Sequence, residues 1–379
     1  MEYGKIRAMI SGGGTGGHIF PAISIADRLK AVNPGNEILF VGAEGRMEME
    51  KVPAAGYTIK GLSIAGLQRK LTPGNILRNI KLPWMLIRSV KDAASLIDGF
   101  KPDVVIGVGG YASAPLLYAA QRKGVPTLIQ EQNGFAGLTN KILGKRAGKI
   151  CVAYEGMERF FPEDRIVLTG NPIRQEVASV NSSMRDEAIG FYGLNPERRH
   201  ILIIGGSLGS KTLNDAMCRW IEKGCPGGEN ADVLWQCGKY YKKGIDSFMA
   251  SHKNCVNVKY SDFIKRMDLA YAAADVTVSR SGASSISEIC AARKAAVLVP
   301  SPNVAEDHQT HNAMALVRKG AAMMVRDCDA AETLMDTALA LAKDSVKLAV
   351  MEKNAGAMAM TEASTLIVNE VYKLTGNVQ

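Results

Sequence analysis

The stretch Ile6-Arg7-Ala8-Met9-Ile10-Ser11-Gly12-Gly13-Gly14-Thr15-Gly16-Gly17-His18-Ile19-Phe20-Pro21 joins an apolar run to a glycine-rich loop and then to a second apolar segment. An apolar run of this length, bounded by glycine, reads as a buried strand. The loop demands a turn that residues with a Cβ adopt poorly, and a helix beginning there leaves its first N–H groups facing an anion. The pattern recurs. Gly107-Val108-Gly109-Gly110-Tyr111 follows Val104-Val105-Ile106, and Gly205-Gly206-Ser207-Leu208-Gly209 follows Ile201-Leu202-Ile203-Ile204. Three units of strand, glycine loop and helix predict sites for phosphate or phosphorylated sugars.

Working outward, strands are expected near Ile38 to Val41, Thr127 to Gln130, Ile150 to Val152 and Arg165 to Leu168 in the first half. In the second they are expected near Val233 to Gln236, Val256 to Lys259, Val276 to Ser279 and Ala296 to Val299. Helical patterns alternate with them, which predicts doubly wound α/β layers. The chain has 379 residues, more than one core usually supports. Gly170-Asn171-Pro172-Ile173-Arg174 is turn-rich and marks a junction. The expected division is residues 1–172, residues 173–360, and a final helix in 361–379 that packs back on the first domain. Both halves open with strand, glycine loop and helix, so two Rossmann-like domains facing each other across a cleft are expected.

Composition excludes several classes. With 47% hydrophobic and 22% charged residues the chain is not disordered. Its 7 cysteines are scattered, without a C-x-x-C pair, and read as reduced thiols rather than a zinc site or disulfide frame. No charged-then-apolar leader precedes the first strand. The uncharged run Val104 to Gln121 is interrupted by Gly107, Gly109, Gly110 and Pro115, which argues against a membrane span.

The net charge of +9 is unevenly placed. Between Lys51 and Lys91 there is no Asp or Glu, while Lys51, Lys60, Arg69, Lys70, Arg78, Lys81, Arg88 and Lys91 are positive. Apolar Leu67, Leu71, Ile76, Leu77, Ile80, Trp84, Leu86 and Ile87 are interleaved with them. Such a segment suits an anionic membrane surface, the alternative being a solvated basic face over a core helix. No nucleic-acid module accompanies the charge, so nucleic acid is not the expected partner.

Two nucleotide motifs match in part. Gly12-x-Gly14-x-x-Gly17 fits the dinucleotide fingerprint, but the strand at Ile38 to Val41 ends in Gly42-Ala43, and Glu44 is off the position that holds a ribose. Gly205 to Thr212 is an incomplete Walker loop, because Ser210 replaces the glycine before Lys211. Further on, Ser279-Arg280-Ser281-Gly282-Ala283-Ser284-Ser285-Ile286-Ser287-Glu288 places hydroxyls and helix N–H groups ahead of a carboxylate, a set suited to a diphosphate and a ribose diol. A helix cap is the plainer reading of that segment. Gln309 and Asn312 stand three residues apart and suit sugar hydroxyls, or simply a polar helix start. Gln130-Glu131-Gln132-Asn133 closes a strand where α/β sheets bind ligand.

These residues together resemble the MurG family, the family 28 GT-B glycosyltransferases of peptidoglycan synthesis. The likeness spans nearly the whole chain. It is carried by Gly13-Gly14-Thr15-Gly16-Gly17-His18-Ile19-Phe20-Pro21, Gly109-Gly110-Tyr111, Glu131-Gln132-Asn133-Gly134-Phe135-Ala136-Gly137-Leu138-Thr139-Asn140, Gly170-Asn171-Pro172-Ile173-Arg174, Gly205-Gly206-Ser207, Ser281-Gly282-Ala283 and Gln309. One position departs, since Gln130 stands where the family usually has His.

The resemblance implies transfer of N-acetylglucosamine from UDP-GlcNAc to the C4 hydroxyl of the muramyl sugar in lipid I, with inversion to a β-1,4 bond. It implies a donor site containing Thr15, Gly16, Gly17, Asn133, Arg174, Ser207, Ile264, Arg280, Ala283, Ser284, Ser285, Ile286, Ser287, Glu288, Gln309 and Asn312. The acceptor diphosphate falls to Gly13, Gly14, Gly109, Gly110, Tyr111 and Asn140. His18 is the first choice of base, its ordinary pKa lying near the working pH, and Glu131 the second. No cofactor or metal is strictly required. The implied location is peripheral, on the cytoplasmic face of the inner membrane, beside other proteins of cell-wall synthesis and division. A lipid-surface binding protein that kept the fold without turnover is the alternative.

Overall fold

The computed structural model describes residues 3–64, 73–206, 208–252, 255–304 and 307–377, and the side chains of 73–81 lie outside that description. The chain forms two units, Met1–Ile173 with Thr361–Gln379, and Arg174–Met360.

In the first unit the chain runs β1 (Arg7–Ser11), α1 (Gly16–Val32), β2 (Glu37–Ala43), α2 (Glu48–Ala54), β3 (Thr58–Leu62) and α3 (Pro73–Phe100). It continues through β4 (Val104–Gly107), α4 (Ala114–Arg122), β5 (Thr127–Glu131), α5 (Leu138–Gly144), β6 (Lys149–Val152) and β7 (Ile166–Leu168). The seven strands pair in the order β3-β2-β1-β4-β5-β6-β7, and every pairing is parallel. Central strands here are apolar on both faces, as a sheet covered by helices requires. Met9 packs with Leu116, Leu117 and Ile129 on one face. Ala8 and Ile10 pack with Ile19, Ile25 and Leu29 on the other.

The second unit runs α6 (Gln175–Ala178), α7 (Arg185–Tyr192), β8 (Arg199–Ile204), α8 (Lys211–Glu222), β9 (Ala231–Gln236), α9 (Lys242–Ala250) and β10 (Val258–Ser261). After these come α10 (Met267–Ala273), β11 (Val276–Ser279), α11 (Ala283–Ala291), β12 (Ala295–Leu298), α12 (His308–Val317), β13 (Ala322–Met324), α13 (Ala330–Lys343) and α14 (Ser345–Ala357). Its six strands are parallel in the order β10-β9-β8-β11-β12-β13. The period of two is visible in β8. Ile201 and Ile203 join Leu213, Met217 and Trp220, whereas Leu202 and Ile204 join Ile264, Tyr271 and Ile289. Full burial of each such aliphatic side chain stabilises by roughly 1.5–3 kcal/mol.

The final helix, α15 (Ala363–Thr375), belongs to the first unit. Its Ile367, Val368, Val371 and Tyr372 are fully buried in the face built on Ala8 and Ile10. The Tyr372 hydroxyl accepts from Asn36 Nδ2 at 2.8 Å, and Tyr3 donates its hydroxyl to Asn369 at 2.6 Å.

Two strands escape the sequence reading, β3 and β13. Thr58-Ile59-Lys60-Gly61-Leu62 is an edge strand with Lys60 and Gly61 in its interior, and Ala322-Met323-Met324 lacks β-branched residues, so neither carries the ordinary strand signal. The strand expected from Val256 begins at Val258, with Val256 exposed.

Candidate functional site

In each sheet the strand order reverses once, between β1 and β4 and between β8 and β11. Loops leaving the carboxyl ends of those strands border the crevice where open α/β sheets bind ligand. The glycine loops of the sequence occupy these places, and Arg280 to Gly282 follows β11.

In the first unit the two loops touch through backbone. Gly14, Gly109 and Gly110 have φ of 86°, 92° and 79°, a region that disfavours other residues. A Cβ on Gly110 would lie 2.5 Å from the Gly13 carbonyl oxygen, and one on Gly109 would lie 2.9 Å from His18 Cδ2. Glycine at 109 therefore lets the His18 imidazole rest against the second loop, while Tyr111 lies over Gly14. His18 stands in the first turn of α1, half-buried, with Nδ1 3.1 Å from Thr15 Oγ1. Gly16 and Gly17 precede it in the same turn.

Glu131 ends β5 and is buried. Oε1 accepts from Asn133 N at 3.1 Å and Asn133 Nδ2 at 3.4 Å, and Oε2 accepts from Gly137 N at 3.1 Å and Asn140 Nδ2 at 2.8 Å. Burial pushes this carboxyl above the ordinary carboxylate range, and the four donors pull against that shift. The carboxylate thus organises the loop 132–140 from within. Gln130 donates to Asn171 Oδ1 at 3.1 Å and accepts from Gln132 Nε2, while Asn171 donates to the Gln132 carbonyl at 3.0 Å. An amide at position 130 therefore takes part in a buried amide network.

Sequence reasoning missed Glu48. It opens α2, is fully buried, and accepts from the backbone N–H groups of Gly14 and Ala43, each at 3.0 Å. A glutamate in Glu48-Met49-Glu50 looks like any first-turn helix acid, and only the paired glycines at 13 and 42 hint at the room its side chain needs.

In the second unit Arg174 and Glu288 form a bidentate pair, Nε to Oε1 and Nη2 to Oε2, both 2.8 Å. Burial and the neighbouring Glu288 charge hold the Tyr271 hydroxyl well above its ordinary pKa. At the start of α11, Gly282 is the N-cap and Ala283 the first helical residue. Ser284 Oγ is enclosed without a hydrogen-bond partner among the described residues. Ser287 Oγ donates back to the Ala283 carbonyl at 3.0 Å, Ile286 is in the core, and Ser285 is partly exposed.

Arg280 is held by several groups of its own unit. Its guanidinium donates to Ser210 Oγ at 2.9 Å, to the Val299 and Pro300 carbonyls at 3.0 and 3.2 Å, and to Asp327. Gln309 Oε1 accepts from Ser301 N at 2.9 Å, and Asn312 is buried with Nδ2 donating to the Ser281 carbonyl at 3.3 Å. Ile264 N–H donates to Gln236 Oε1 at 3.0 Å, and Gln236 Nε2 donates to the Gly206 carbonyl at 2.9 Å. Gln236, absent from the sequence reading, ties these two loops together. Ser207 lies outside the described residues. Of the expected donor residues, Thr15, Gly16, Gly17 and Asn133 belong to the first unit and the other described ones to the second.

Residues 8–152 match the glycosyltransferase family 28 N-terminal domain, and residues 200–367 match the family 28 C-terminal domain. A relative from Parabacteroides distasonis is 51% identical over 370 residues, covering 98% of each chain. It is named UDP-N-acetylglucosamine--N-acetylmuramyl-(pentapeptide) pyrophosphoryl-undecaprenol N-acetylglucosamine transferase. The chain belongs to glycosyltransferase family 28. A family 28 relative of the same name from Cytophaga hutchinsonii is also 51% identical, with 98% of both chains covered. The crystal structure of Acinetobacter baumannii MurG matches at a TM-score of 0.75 and 27% identity, over 98% of this chain and 100% of that one. The family 28 fold is GT-B, with one parallel α/β sheet in each unit, as the resemblance implied.

Proposed function

We propose that this chain is a UDP-GlcNAc-dependent hexosyltransferase that transfers N-acetylglucosamine to the C4 hydroxyl of MurNAc in lipid I, giving lipid II through a β-1,4 bond with inversion. The observation that carries the reading is near-complete alignment at 51% identity with transferases of that name. The Arg174–Glu288 pair and the α11 N-terminus at the β8/β11 reversal support the donor half of the reading. Glu288 accepts hydrogen bonds from the ribose diol, and Ser284 and the first N–H groups of α11 meet the diphosphate. Ile264 and Arg174 border the uracil, and Gln309 meets the sugar. The roles of Arg280 and Asn312 are indirect, since both hold the loops that carry these groups.

The acceptor diphosphate lies at the loops of Gly13 and Gly14 and of Gly109, Gly110 and Tyr111. His18 takes the proton as the C4 oxygen attacks the anomeric carbon, and the bond to UDP breaks with its electron pair moving to the diphosphate. Helix N–H groups stabilise the charge that develops there, so a divalent ion is not obligatory. Glu131 positions the loop of Asn133 and Asn140, a role its buried carboxylate suits better than that of base.

Lipid I is anchored by its polyprenyl chain, and no helix among the described residues is long and apolar enough to cross a membrane. The chain meets its acceptor by lying on the cytoplasmic leaflet of the inner membrane. Trp84 is 77% and Ile87 64% exposed on α3, beside Arg88, and these supply apolar and cationic contacts. Arg69, Lys70, Leu67 and Leu71, together with the side chains of Ile76, Leu77, Arg78, Ile80 and Lys81, lie outside the described residues. The test is transfer of labelled GlcNAc from UDP-GlcNAc to a soluble lipid I analogue. A folded chain that binds UDP and transfers nothing would instead be a lipid-surface binding protein.

A further inference from the structure

We propose that Glu48 is a positioning residue for the acceptor: it sets the first glycine loop and takes the N–H that such a loop otherwise offers to a nucleotide pyrophosphate. The inference rests on the reading of the first unit as the lipid I site.

The Glu48 side chain runs between Gly13 and Gly42. A Cβ on Gly13 would overlap Oε1, and one on Gly42 would lie 2.6 Å from Cγ. Both glycines are therefore accounted for by one buried carboxylate. Oε1 holds Ala43 N, the last of β2, and Oε2 holds Gly14 N just beyond β1, so the ends of two neighbouring strands are tied through a single side chain. Gly13 in turn abuts Gly110, and Gly14 abuts Tyr111, which carries the constraint to the second loop and to the His18 ring lying against Gly109.

Gly14 is also the second glycine of the Gly12-x-Gly14-x-x-Gly17 pattern, the place where dinucleotide folds let the backbone approach a pyrophosphate. Here that N–H already meets a carboxylate, and a phosphate oxygen at the same spot would face a like charge. The acceptor diphosphate proposed at this loop therefore meets it through groups other than Gly14 N, on the side of the start of α1 and the loop 109–111. The nucleotide of the donor is left to the second unit.

Glu48→Gln keeps the shape and removes one acceptor, so either Gly14 N or Ala43 N faces an N–H instead of an oxygen. Kinetics of Glu48→Gln with UDP-GlcNAc and a soluble lipid I analogue, together with UDP calorimetry, test the idea. We expect acceptor kcat/KM to fall about 10- to 100-fold, mainly through acceptor KM, with UDP affinity within about twofold of the unsubstituted protein. Loss of active protein alone would lower kcat and leave both KM values in place, which would overturn the proposal. A second pair of variants guards against misfolding. Gly42→Ala displaces the Glu48 side chain and should lower acceptor kcat/KM, yet added to Glu48→Ala it should change little more, because the group it overlaps is gone and the Ile59 methyl, 3.1 Å from the new Cβ, has only a small shift to make. Additive losses would overturn the proposal. So would unchanged acceptor kinetics in Glu48→Gln while the unsubstituted protein transfers normally. Absence of transfer by the unsubstituted protein would instead remove the functional reading, and this inference with it.

Discussion

Arg174 grips Glu288 through two parallel hydrogen bonds of 2.8 Å, one to each carboxylate oxygen. The pair comes from distant parts of one unit, the segment before α6 and the body of α11, and it fixes the plane of the carboxylate. A carboxylate oxygen can accept more than one hydrogen bond, the capacity on which the proposed ribose contact depends.

The first prediction concerns that pair. Glu288→Ala should weaken UDP binding by about 1.5–3 kcal/mol, the usual range for hydrogen bonds to a charged group. Arg174→Ala should weaken it too, and the double variant should lose less than the sum, because both changes remove one unit. Calorimetry on folded variants decides it, and unchanged UDP affinity in Glu288→Ala would withdraw the ribose assignment.

A second prediction separates chemistry from binding. His18→Ala should lower turnover about 10²- to 10⁴-fold while UDP affinity stays within about twofold. Near-normal turnover would withdraw the imidazole as the base.

The glycine loops, the central strands of both sheets and the last helix were legible because each depends on a local pattern: an apolar strand, a turn only glycine makes easily, an amphipathic face. Glu48 and Gln236 were not legible. Their importance lies in which distant backbone groups their polar atoms meet, and nothing in their immediate neighbours encodes that. The same holds for the contacts of Arg280 with Ser210, Val299, Pro300 and Asp327, which its place after β11 does not announce. Glu131 shows the opposite case, a residue marked by its motif, while the four donors around its carboxyl became visible only in the fold.

A third prediction follows for Glu131. Glu131→Gln keeps its volume but turns an N–H towards the donors of its own loop, so stability should fall by about 1–3 kcal/mol. Denaturant unfolding measures the loss. Transfer should fall through acceptor KM as the loop of Asn133 and Asn140 loosens. A variant as stable as the unsubstituted chain, with turnover abolished and acceptor KM unchanged, would restore Glu131 as a candidate base.

The membrane prediction uses exposed residues, so that folding is spared. Trp84→Ser with Ile87→Ser should reduce co-sedimentation with anionic vesicles and lower transfer to full-length lipid I, while transfer to a short-chain analogue stays within about twofold. Binding of the unsubstituted chain should also weaken with added salt, as expected for cations near an anionic leaflet. Vesicle binding untouched by the double change would place the docking surface elsewhere.

The return of α15 to the face built on Ala8 and Ile10 also orders events during synthesis. The buried side chains of Ile367, Val368, Val371 and Tyr372 leave the ribosome only after the whole of Arg174–Met360. The first unit therefore closes only after the second has been made. Until then the helix α1 and strand β1 present an uncovered apolar face. A chain truncated after residue 360 should hold a protease-resistant second unit and a first unit open to cleavage and to chaperones, and limited proteolysis of the truncated chain would show it.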